Sequence, residues 1–452
     1  MFAADKCTGE EVSMRRLTFA LLLAALMIFI GGAAAQDLSV DPSGVTIQYW
    51  HQYNSGAQLE TMNALVAAFN ESNEYGITVE ATPQGNYNDL RELINNGIIS
   101  GDLPNLVAGF ASDAISYAQE PGVVVDLEPY FTDATHGFSE DDLADLNLDI
   151  LNSFVADGAR IGYPNQVSAN VLSVNLGMLE SLGIDTSLPM TVESFRAAAC
   201  AAAESDLTGA EGAPVQGYPI KIDSSEAESW IAGFGGSIFV DGAWDFTGDA
   251  VITYFQLMQD LYNAGCAYIP DTPFGNTDDF AFGLNPFGLG STAGIPFILG
   301  NIASSGSGVD NWTVTTTPVL EAGDTPSVQV FVPGIIVLGG TPEENLASWL
   351  FLKHLASAES QVAWTTATSY FPTRASVSEQ LGDFLEANPY FAAANELVNG
   401  GASVYASPQQ LSYNAIRGLL ATALADVTSG GMDVATVAAR LTADANQAMA
   451  DM

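Results

Sequence analysis

Uncharged polar side chains that could bind a ligand cluster at residues 161–175, near the end of the first third of the chain. Four of them can both donate and accept hydrogen bonds without carrying a charge: Asn165, Gln166, Ser168 and Asn170. Such groups suit neutral hydroxylated ligands better than ions. The segment is therefore a candidate binding site for a neutral, hydroxyl-rich molecule.

The residues on either side of this polar segment predict an extended conformation. Tyr163-Pro164 precedes it, and the residue before a proline favours extended backbone. Val171-Leu-Ser-Val174 follows it and is rich in residues that favour strands. An extended connector that becomes a strand fits a crossover between two lobes. The ordinary beginning of a polar strand would show the same pattern.

The composition excludes several classes of partner. The 452-residue chain is 48% hydrophobic, so it can bury a large core and should divide into at least two domains. Its 53 acidic and 11 basic residues give a formal net charge of -42, and such a field repels DNA, RNA and anionic lipid. The acidic residues are scattered, as in a solvated acidic shell adapted to high salt, where screening lengths are only a few ångströms.

The N-terminal sequence predicts export from the cytoplasm. Arg15-Arg16 precedes an almost unbroken apolar run at 17–30, and Ala33-Ala-Ala35 follows this run. A basic flank, a short apolar core and an Ala-x-Ala ending are typical of a secretory signal peptide, here residues 1–35. Met14 is the expected true start. No cysteine follows the apolar run, so we expect a soluble periplasmic or secreted protein without a lipid anchor. An uncleaved membrane anchor is the alternative.

Cysteines and histidines predict neither a metal site nor a cofactor. Cys200 and Cys266 remain after signal cleavage, and they could form one disulfide, although their spacing carries no geometric information. His51, His136 and His354 lie far apart in the sequence, so no zinc-type ligand spacing occurs.

Hydrophobic periodicity predicts a parallel sheet at the start of the mature chain. Residues 45–50 alternate as a strand does, and residues 58–70 place their large apolar side chains on one helical face. Strand patterns at 77–82 and 105–110 enclose a further helix, a series typical of a parallel sheet with crossover helices. The loop at 50–56 leaves the carboxyl end of the first strand, where open α/β sheets bind ligands. A Trp50 buried in the core is the alternative.

An ordered series of motifs runs through the mature chain: Tyr49-Trp-His51, Gly85-Asn-Tyr-Asn-Asp89, Gly101-Asp-Leu-Pro-Asn105, Val125-Asp-Leu-Glu128, the segment from Tyr163-Pro164 to Asn175, and Thr368-Ser-Tyr-Phe-Pro-Thr373. In this order and spacing the chain resembles the family 1 extracellular solute-binding proteins of ABC importers. Within that family it is most similar to the glycerol-3-phosphate and oligosaccharide binders. The resemblance covers nearly all of the mature chain, and it rests on the joint order of the motifs.

The resemblance implies an α/β fold of the two-lobed periplasmic-binding-protein type (type II), with a hinge between the lobes and a ligand held between them. It assigns residues 36–164 and 312–357 to the first lobe, and residues 165–311 and 358–452 to the second. A second connection between the lobes is expected near 308–311, and ligand capture should close the lobes. The expected protein is a monomer that delivers its solute to the permease subunits of an ABC importer and needs no cofactor.

The family's pattern carries over to five positions of the site: Trp50, Tyr87, Ser168, Gly334 and Tyr370. Aromatic faces can stack on a sugar ring while hydroxyls and amides fix its orientation. Elsewhere the chain departs from the pattern. Asp113 lies near the position of an expected glutamate, Phe297 lies where a serine is expected, and Gln409 replaces an arginine that would face a phosphate. The remaining candidate ligand-binding residues are His51, Tyr53, Gln166, Asn170, Ser225 and Trp230.

Motifs for catalysis are missing from the sequence, which contains no nucleophile elbow, His-Glu-x-x-His motif, P-loop or cysteine-histidine pairing. Acidic pairs leave a two-carboxylate glycosidase open from residue types alone, but the resemblance argues against an enzyme. We therefore predict a binding protein that captures a neutral mono- or oligosaccharide. The alternatives are a binder of glycerol-3-phosphate or a related phosphodiester, and a surface structural or adhesive protein with the same fold.

The arginines predict which ligand is refused. A phosphate ester is normally bound by arginine forks or helix amino termini. Only Arg374 and Arg417 lie near the proposed site elements, and the negative field of the protein penalises an anion. We therefore predict that glycerol phosphates do not bind. The alternative is that Arg374 or Arg417 supplies the missing partner.

Overall fold

Two five-stranded sheets organise the protein, and the computed structural model describes residues 38–452. The predicted signal peptide, residues 1–35, lies outside the described residues. The strands are, in chain order, β1 (Thr46–His51), β2 (Thr78–Pro83), β3 (Leu106–Gly109), β4 (Val155–Ala156), β5 (Ala159–Arg160), β6 (Tyr163–Pro164), β7 (Ser168–Asn175), β8 (Tyr218–Pro219), β9 (Phe239–Val240), β10 (Ala243–Trp244), β11 (Ala267–Tyr268), β12 (Phe287–Ser291), β13 (Trp312–Thr315), β14 (Ser327–Phe331), β15 (Gly334–Val337) and β16 (Ser403–Ala406).

The first sheet has the strand order β2-β1-β3-β15-β6. As the sequence predicts, β1 is parallel to both β2 and β3, whereas β15 runs antiparallel to β3 and to β6. Ile47, Tyr49 and His51 of β1 are buried and the residues between them are less so, which is the alternation of a strand with one face on the core.

The second sheet has the order β12-β7-β14-β16, and β13 also pairs with β7. Its central strand β7 is antiparallel to β12, β13 and β14, and all eight of its residues are buried. The candidate residues Ser168 and Asn170 therefore lie on the most enclosed strand of this sheet. Three strand pairs lie outside the two sheets: β4 with β5, β8 with β11, and β9 with β10.

Helices cover the sheets and connect their strands. In chain order they are α1 (Gly56–Ser72), α2 (Tyr87–Ser100), α3 (Ala111–Tyr117), α4 (Glu128–Phe131), α5 (Glu140–Asp145), α6 (Leu148–Asn152), α7 (Leu176–Ser181), α8 (Val192–Ala203), α9 (Ser224–Gly233), α10 (Asp249–Asn263), α11 (Gly275–Ala281), α12 (Ile295–Ser305), α13 (Pro342–Leu355), α14 (Ala358–Thr368), α15 (Ala375–Gln380), α16 (Gly382–Ala387), α17 (Pro389–Glu396), α18 (Tyr413–Val427) and α19 (Val434–Ala450). Among the described residues, no helix is long and apolar enough to cross a membrane.

Helix starts follow capping signals in the sequence. Thr341 caps α13 in a capping box with Glu344, and Pro342 occupies the first helical position, where its fixed φ suits a helix start. Thr191 caps α8 through the backbone N–H of Ser194. These caps satisfy backbone donors that a helix start leaves unpaired.

The chain passes between the two sheets three times. Residues 165–167 connect β6 to β7, at the place where the sequence predicts a crossover, and residues 332–333 connect β14 to β15. The third passage follows α14, because Trp364 packs against Tyr53 beside the first sheet, whereas Phe371 pairs with Val167 and packs against Phe391. We call the first sheet with its helices the first lobe, and the second sheet with its helices the second lobe.

The strand pairing moves two of the predicted boundaries. Strands β13 and β14 fall within 312–357, which the sequence analysis assigned to the first lobe, yet both pair with β7 in the second sheet. Residues 308–311, predicted as the second connection, lead into β13 and so lie within the second lobe. Helix α14, assigned to the second lobe, packs against the first. Periodicity shows that a segment is a strand but not which sheet it joins.

A disulfide bond cross-links two parts of the second lobe. Cys200 at the end of α8 is bonded to Cys266, which directly precedes β11, with Cα atoms 4.4 Å apart. Around it lies a large apolar core that contains Trp230 and Trp244, both almost fully buried. The two C-terminal helices α18 and α19 contribute to the same core, as their helical spacing predicts.

Candidate functional site

A chain of aromatic rings forms the first-lobe side of the site. The rings of Tyr49, His51 and Tyr53 follow one another along the end of β1, with centroids 5.2 and 5.3 Å apart. Tyr53 packs edge-on against Trp364 of α14 at 4.8 Å, and Trp364 stacks on Tyr370 at 5.9 Å. Two of the three passages between the lobes, residues 165–167 and 369–370, therefore lie beside these rings.

Two glutamines hold the tyrosine hydroxyls of this wall. Gln166 Nε2 donates to the Tyr53 hydroxyl at 2.8 Å, and Gln52 Nε2 donates to the Tyr87 hydroxyl at 2.9 Å. Gln52 directly precedes Tyr53 in the chain, so both glutamines lie beside this tyrosine. We call Gln52 and Gln166 the amide pair. Their carbonyl oxygens are buried, and no group of residues 38–452 bonds to them.

Burial keeps the titratable groups of the first-lobe wall uncharged near neutral pH. It raises the pKa of Tyr53 to about 12 and raises the pKa values of Tyr87 and Tyr370 as well. It lowers the pKa of His51 to about 4, so the imidazole is neutral at pH 7. This wall therefore presents hydroxyl and amide groups without a formal charge.

Asp113 joins the two lobes. It is 2% exposed, and its Oδ1 accepts hydrogen bonds from Arg91 Nε at 2.7 Å and from Asn414 Nδ2 at 2.9 Å. Its Oδ2 accepts from the backbone N–H of Phe110 at 2.9 Å, which closes the start of α3. Arg91 and Asp113 belong to the first lobe, and Asn414 lies in the first turn of α18 in the second. The carboxylate predicted to bind ligand is thus already bonded on both oxygens to protein groups.

The second-lobe wall is built around Arg417. Its guanidinium lies over the ring of Tyr413 at 5.7 Å, 3.6 Å from the Asp223 carboxylate and 3.4 Å from the Ser225 hydroxyl. Asp223 also caps α9 by accepting from the backbone N–H of Ser225. The start of α9 and the start of α18 are therefore tied together by one ion pair.

A buried carboxylate completes this wall. Glu228 is 1% exposed and accepts hydrogen bonds from the hydroxyls of Tyr413 at 2.7 Å and Tyr405 at 3.2 Å. Burial raises the pKa of Glu228, while these hydroxyls and the charge of Arg417 oppose the rise. Both carboxylate oxygens thus have partners within the second lobe.

A relay of neutral groups links β7 to this wall. Asn170 Nδ2 donates to the Ser229 hydroxyl at 2.7 Å, and that hydroxyl donates to Gln329 Oε1 at 2.7 Å. Gln329 Nε2 donates in turn to the Ser407 hydroxyl at 3.0 Å. Asn170 Nδ2 also donates to the backbone oxygen of Ser225 at 3.3 Å. The polar groups of this relay are therefore hydrogen-bonded to other residues of the second lobe.

Every arginine among residues 38–452 has a carboxylate partner within 4 Å: Arg91 with Asp113, Arg160 with Glu128, Arg196 with Asp260, Arg374 with Asp142 and Asp145, Arg417 with Asp223, and Arg440 with Asp426. Arg374 is 6% exposed and donates to both of its aspartates, at 2.8 and 3.0 Å. It is therefore committed outside the site, contrary to the alternative in which it turns toward a phosphate.

The lobes also touch at a second place. Gln58 Nε2 of α1 donates to the backbone oxygen of Ala293 at 3.2 Å. Phe297 of α12 lies so close to Gly56 that a Cβ on this glycine would be 3.1 Å from the phenyl ring. Phe297, a predicted ligand-binding residue, is thus a contact between the lobes and is 41% exposed.

Two predicted site residues belong to the core. Trp230 is fully buried in the second lobe, where its Nε1 donates to Glu226 and to the Tyr218 hydroxyl. His51 is also fully buried, between Tyr49 and Tyr53. Both side chains are enclosed by residues of their own lobe, and their contact with ligand stays a prediction. Both are aromatic residues next to true wall residues, and sequence alone does not separate the two environments.

The other predicted residues lie at or near the walls. Gly334 begins β15 beside Pro164, where a Cβ would lie 2.7 Å from the Tyr163 backbone oxygen, so its role is close backbone approach. Trp50 is half-buried, and Gln409 is exposed with its amide bonded only to the Ser407 backbone oxygen. Tyr53, Tyr87, Gln166 and Tyr370 come together in the first-lobe wall, and Ser168, Asn170 and Ser225 in or beside the second.

Several wall residues escape prediction from the sequence: Gln52, Asp223, Glu228, Ser229, Gln329, Tyr405, Ser407, Tyr413 and Arg417 as an engaged residue. A signal exists for two of them. Gln52 lies in the loop at 50–56 that the sequence singles out, and Asp223 precedes the helix that carries Ser225.

Comparison with known proteins identifies this arrangement. The family described as bacterial extracellular solute-binding protein matches residues 64–393, whereas no curated protein sequence matches the chain. An ABC substrate-binding protein from Listeria monocytogenes, in complex with cycloalternan, is 17% identical with a TM-score of 0.74, over 90% of this chain and 99% of that one. UgpB from Mycobacterium tuberculosis, in complex with glycerophosphocholine, is 16% identical with a TM-score of 0.74, over 90% and 99%.

A third similar structure is the GacH receptor of Streptomyces glaucescens, solved unliganded and with acarbose. It is 19% identical with a TM-score of 0.73, over 90% of this chain and 98% of that one. At these identities the likeness shows the fold alone. It confirms the predicted two-lobed α/β fold of the periplasmic-binding-protein type.

Proposed function

Since the chain belongs to the family of bacterial extracellular solute-binding proteins, we propose that it captures a neutral mono- or oligosaccharide between its lobes and delivers it to an ABC importer. The family consists of binding proteins, so the chain is not an enzyme. Its place outside the cytoplasm follows from the same membership. Action as a monomer on the permease subunits of an importer is part of the proposal.

One observation above all supports an uncharged ligand: every described arginine is paired with a carboxylate. A phosphate ester needs charge-assisted donors, usually from arginine. Arg374 is held by two aspartates, and Arg417, the arginine of the second-lobe wall, faces Asp223 and lies over Tyr413. Freeing Arg417 would leave Asp223 without its arginine partner, so binding an anion would cost the protein one of its own ion pairs.

The first-lobe wall supports a carbohydrate rather than an ion. It offers aromatic rings, hydroxyls and amide oxygens, the groups that pack against sugar rings and pair with sugar hydroxyls. The net charge of -42 further opposes an anionic solute. Structures of the same fold with cycloalternan and acarbose support this class of ligand, and the glycerophosphocholine complex of UgpB marks the phosphodiester alternative.

Thermal-shift measurements would test the proposal, using maltose, maltotriose, mannotriose and tagatose beside glycerol-3-phosphate and glycerophosphocholine at matched ionic strength. We expect a rise in the melting temperature with at least one neutral sugar and none with the two phosphates. Arg417→Gln is the matched variant. Stabilisation by a phosphate alone, abolished by Arg417→Gln, would contradict the neutral assignment.

Small-angle scattering would test capture between the lobes. A ligand that contacts both walls favours the closed state by its difference in affinity for the two states, and a shift from 1:99 to 99:1 requires about 5.5 kcal/mol. We expect the radius of gyration to fall when the bound sugar saturates the protein. An unchanged radius at saturation would contradict a site formed by both lobes.

A further inference from the structure

Unpaired polar atoms concentrate around Tyr53. Buried side-chain atoms almost always have a hydrogen-bond partner, because an unpaired one costs free energy. Five atoms in this region lack one among residues 38–452: Tyr49 Oη, His51 Nε2, Gln52 Oε1, Gln166 Oε1 and Trp364 Nε1. They belong to the aromatic rings that run along the end of β1 and to the two glutamines bonded to the tyrosine hydroxyls.

Within this group, the amide pair shows most clearly what kind of ligand atom would fit beside it, namely a hydrogen-bond donor. Each glutamine uses an Nε2–H to donate to a tyrosine hydroxyl, Gln166 to Tyr53 and Gln52 to Tyr87. Each carbonyl oxygen then remains as a buried acceptor without a donor. Gln166 is 1% exposed and lies in the passage from β6 to β7, so its oxygen is enclosed where the lobes meet.

The two amides belong to the same part of the first-lobe wall. Gln166 is bonded to the Tyr53 hydroxyl, and Gln52 is the neighbour of Tyr53 in the chain. The hydroxyls of a sugar can donate to both oxygens. The oxygens of a phosphate group are acceptors and would place oxygen against oxygen here.

We propose that Gln52 and Gln166 determine ligand specificity by each accepting a hydrogen bond from a hydroxyl of the bound sugar. This inference rests on the proposed function and names the groups by which the site recognises its solute. A site built to accept a hydroxyl discriminates strongly against an analogue that lacks it, because the buried oxygen is then left unpaired. The ligand therefore presents two free hydroxyls to the first lobe, and sugars that are deoxygenated or methylated at either one are rejected.

Titration calorimetry of Gln52→Met and Gln166→Met tests this role. The sugars are maltose, maltotriose, mannotriose and tagatose. Methionine keeps the length of glutamine but removes its amide, including the acceptor oxygen, so we expect each variant to lose affinity for the sugar that binds by tenfold or more. Gln259→Met is the matched control, because Gln259 lies on α10 and its amide bonds to backbone oxygens of the second lobe at 2.8 Å. It should bind as the wild type does.

Deoxygenated sugars provide a second measurement that does not depend on how the variants fold. Monodeoxy derivatives of the bound sugar should reveal two positions at which wild-type affinity falls tenfold or more. At each of these positions, one Gln→Met variant should show no further loss. Free Gln166→Met protein should keep the wild-type melting temperature within a few degrees, because the substitution removes one hydrogen bond, from Nε2 to the Tyr53 hydroxyl, together with an oxygen that has no partner among residues 38–452.

The outcomes separate this inference from the proposed function. If none of the four sugars binds the wild type, the proposed function fails and the role of the amide pair fails with it. If a sugar binds and both variants keep its affinity within twofold, only the role of the amide pair is overturned. Tight binding of choline or another cation in place of sugars would also overturn it, since the acceptors would then serve a charge.

Discussion

The two walls of the cleft differ in how their polar groups are used. In the first lobe, Gln52 and Gln166 leave buried acceptor oxygens unpaired beside Tyr53. In the second lobe, the Glu228 carboxylate has hydrogen bonds on both oxygens. The side chains of Asn170, Ser229, Gln329 and Ser407 form a series in which each is hydrogen-bonded to the next. The first wall has unpaired acceptor oxygens, whereas the groups of this second-wall network are bonded to one another.

This difference indicates a division of work. Unpaired acceptors gain free energy only when a ligand donates to them, so the first wall should decide which solute binds. A buried network with all partners present rigidifies its surroundings, so the second wall should hold the shape of its lobe. Substitutions in the first wall should therefore change affinity, whereas substitutions in the second should change stability.

The largest expected effect is on stability in the second wall. Glu228→Leu removes the acceptor of two buried tyrosine hydroxyls and one of the negative charges beside Arg417. Breaking such a buried pair costs about 3–5 kcal/mol. We expect a loss of that size in the free energy of unfolding, measured by denaturant titration.

Two further variants test whether this loss distinguishes the walls. Glu228→Gln keeps an acceptor and should cost less than Glu228→Leu. Gln166→Met, in the first wall, should change the free energy of unfolding by about 1 kcal/mol, because it removes one hydrogen bond to the Tyr53 hydroxyl together with an unpaired oxygen. Equal losses for Glu228→Leu and Gln166→Met would mean that the walls do not differ in the way proposed.

A second effect concerns alkaline pH and the core behind the second wall. Burial raises the pKa of Glu226 to about 8. The folded state therefore holds a proton that the unfolded state releases near pH 4.5, and this stability is present at low pH and is lost as the pH rises toward 8. For Glu226→Gln we expect a gain of about 3 kcal/mol relative to the wild type between pH 5 and pH 8. Parallel stability profiles of the two proteins over this range would contradict the assignment.

The first lobe should respond to pH in the opposite direction. Burial lowers the pKa of His51 to about 4, so the unfolded chain binds a proton near pH 6.5 that the folded protein excludes. Stability from this residue is present above pH 6.5 and is lost as the pH falls toward 4. His51→Asn should remove about 2 kcal/mol of the decline between pH 7 and pH 5, with His136→Gln as the control. Circular dichroism melts at both pH values would measure it, and an unchanged decline would show that His51 does not cause it.

The sequence predicts the strands and helices of the molecule better than the contacts between their side chains. Periodicity indicates β1, α1 and β2 to within two residues, because each has one face on the core. The uncharged segment at 165–170 indicates the crossover for the same reason, since its composition and its flanking strand are local. The resemblance of ordered motifs then supplies the two lobes, which no local pattern shows.

The second wall could not be predicted because its contacts join distant residues. Arg417 and Asp223 are 194 positions apart, and nothing in either neighbourhood names the other. Helix α9 is misleading by itself: its two glutamates suggest an exposed surface, yet Glu226 and Glu228 are both almost fully buried. Trp230, four residues from Glu226, looks like a site residue in the sequence, yet it belongs to the same buried core.

The smallest effect lies where the two lobes meet. Asn414→Ala removes the hydrogen bond from the second lobe to Asp113, while Arg91 and the Phe110 N–H still bond to that carboxylate. Because Asp113 keeps these partners, the cost should be that of one hydrogen bond, about 1 kcal/mol, borne by the closed state alone. Affinity should therefore fall about fivefold, and by the same factor for every sugar, since the lost bond does not contact the ligand.

Gln166→Met should instead change the ranking of sugars. Calorimetry with two sugars of different affinity would measure both variants, and Asn414→Asp, which sets a like charge beside Asp113, should weaken both sugars further. If Asn414→Ala weakens one sugar and spares the other, Asn414 touches the ligand, and selection is not confined to the first wall.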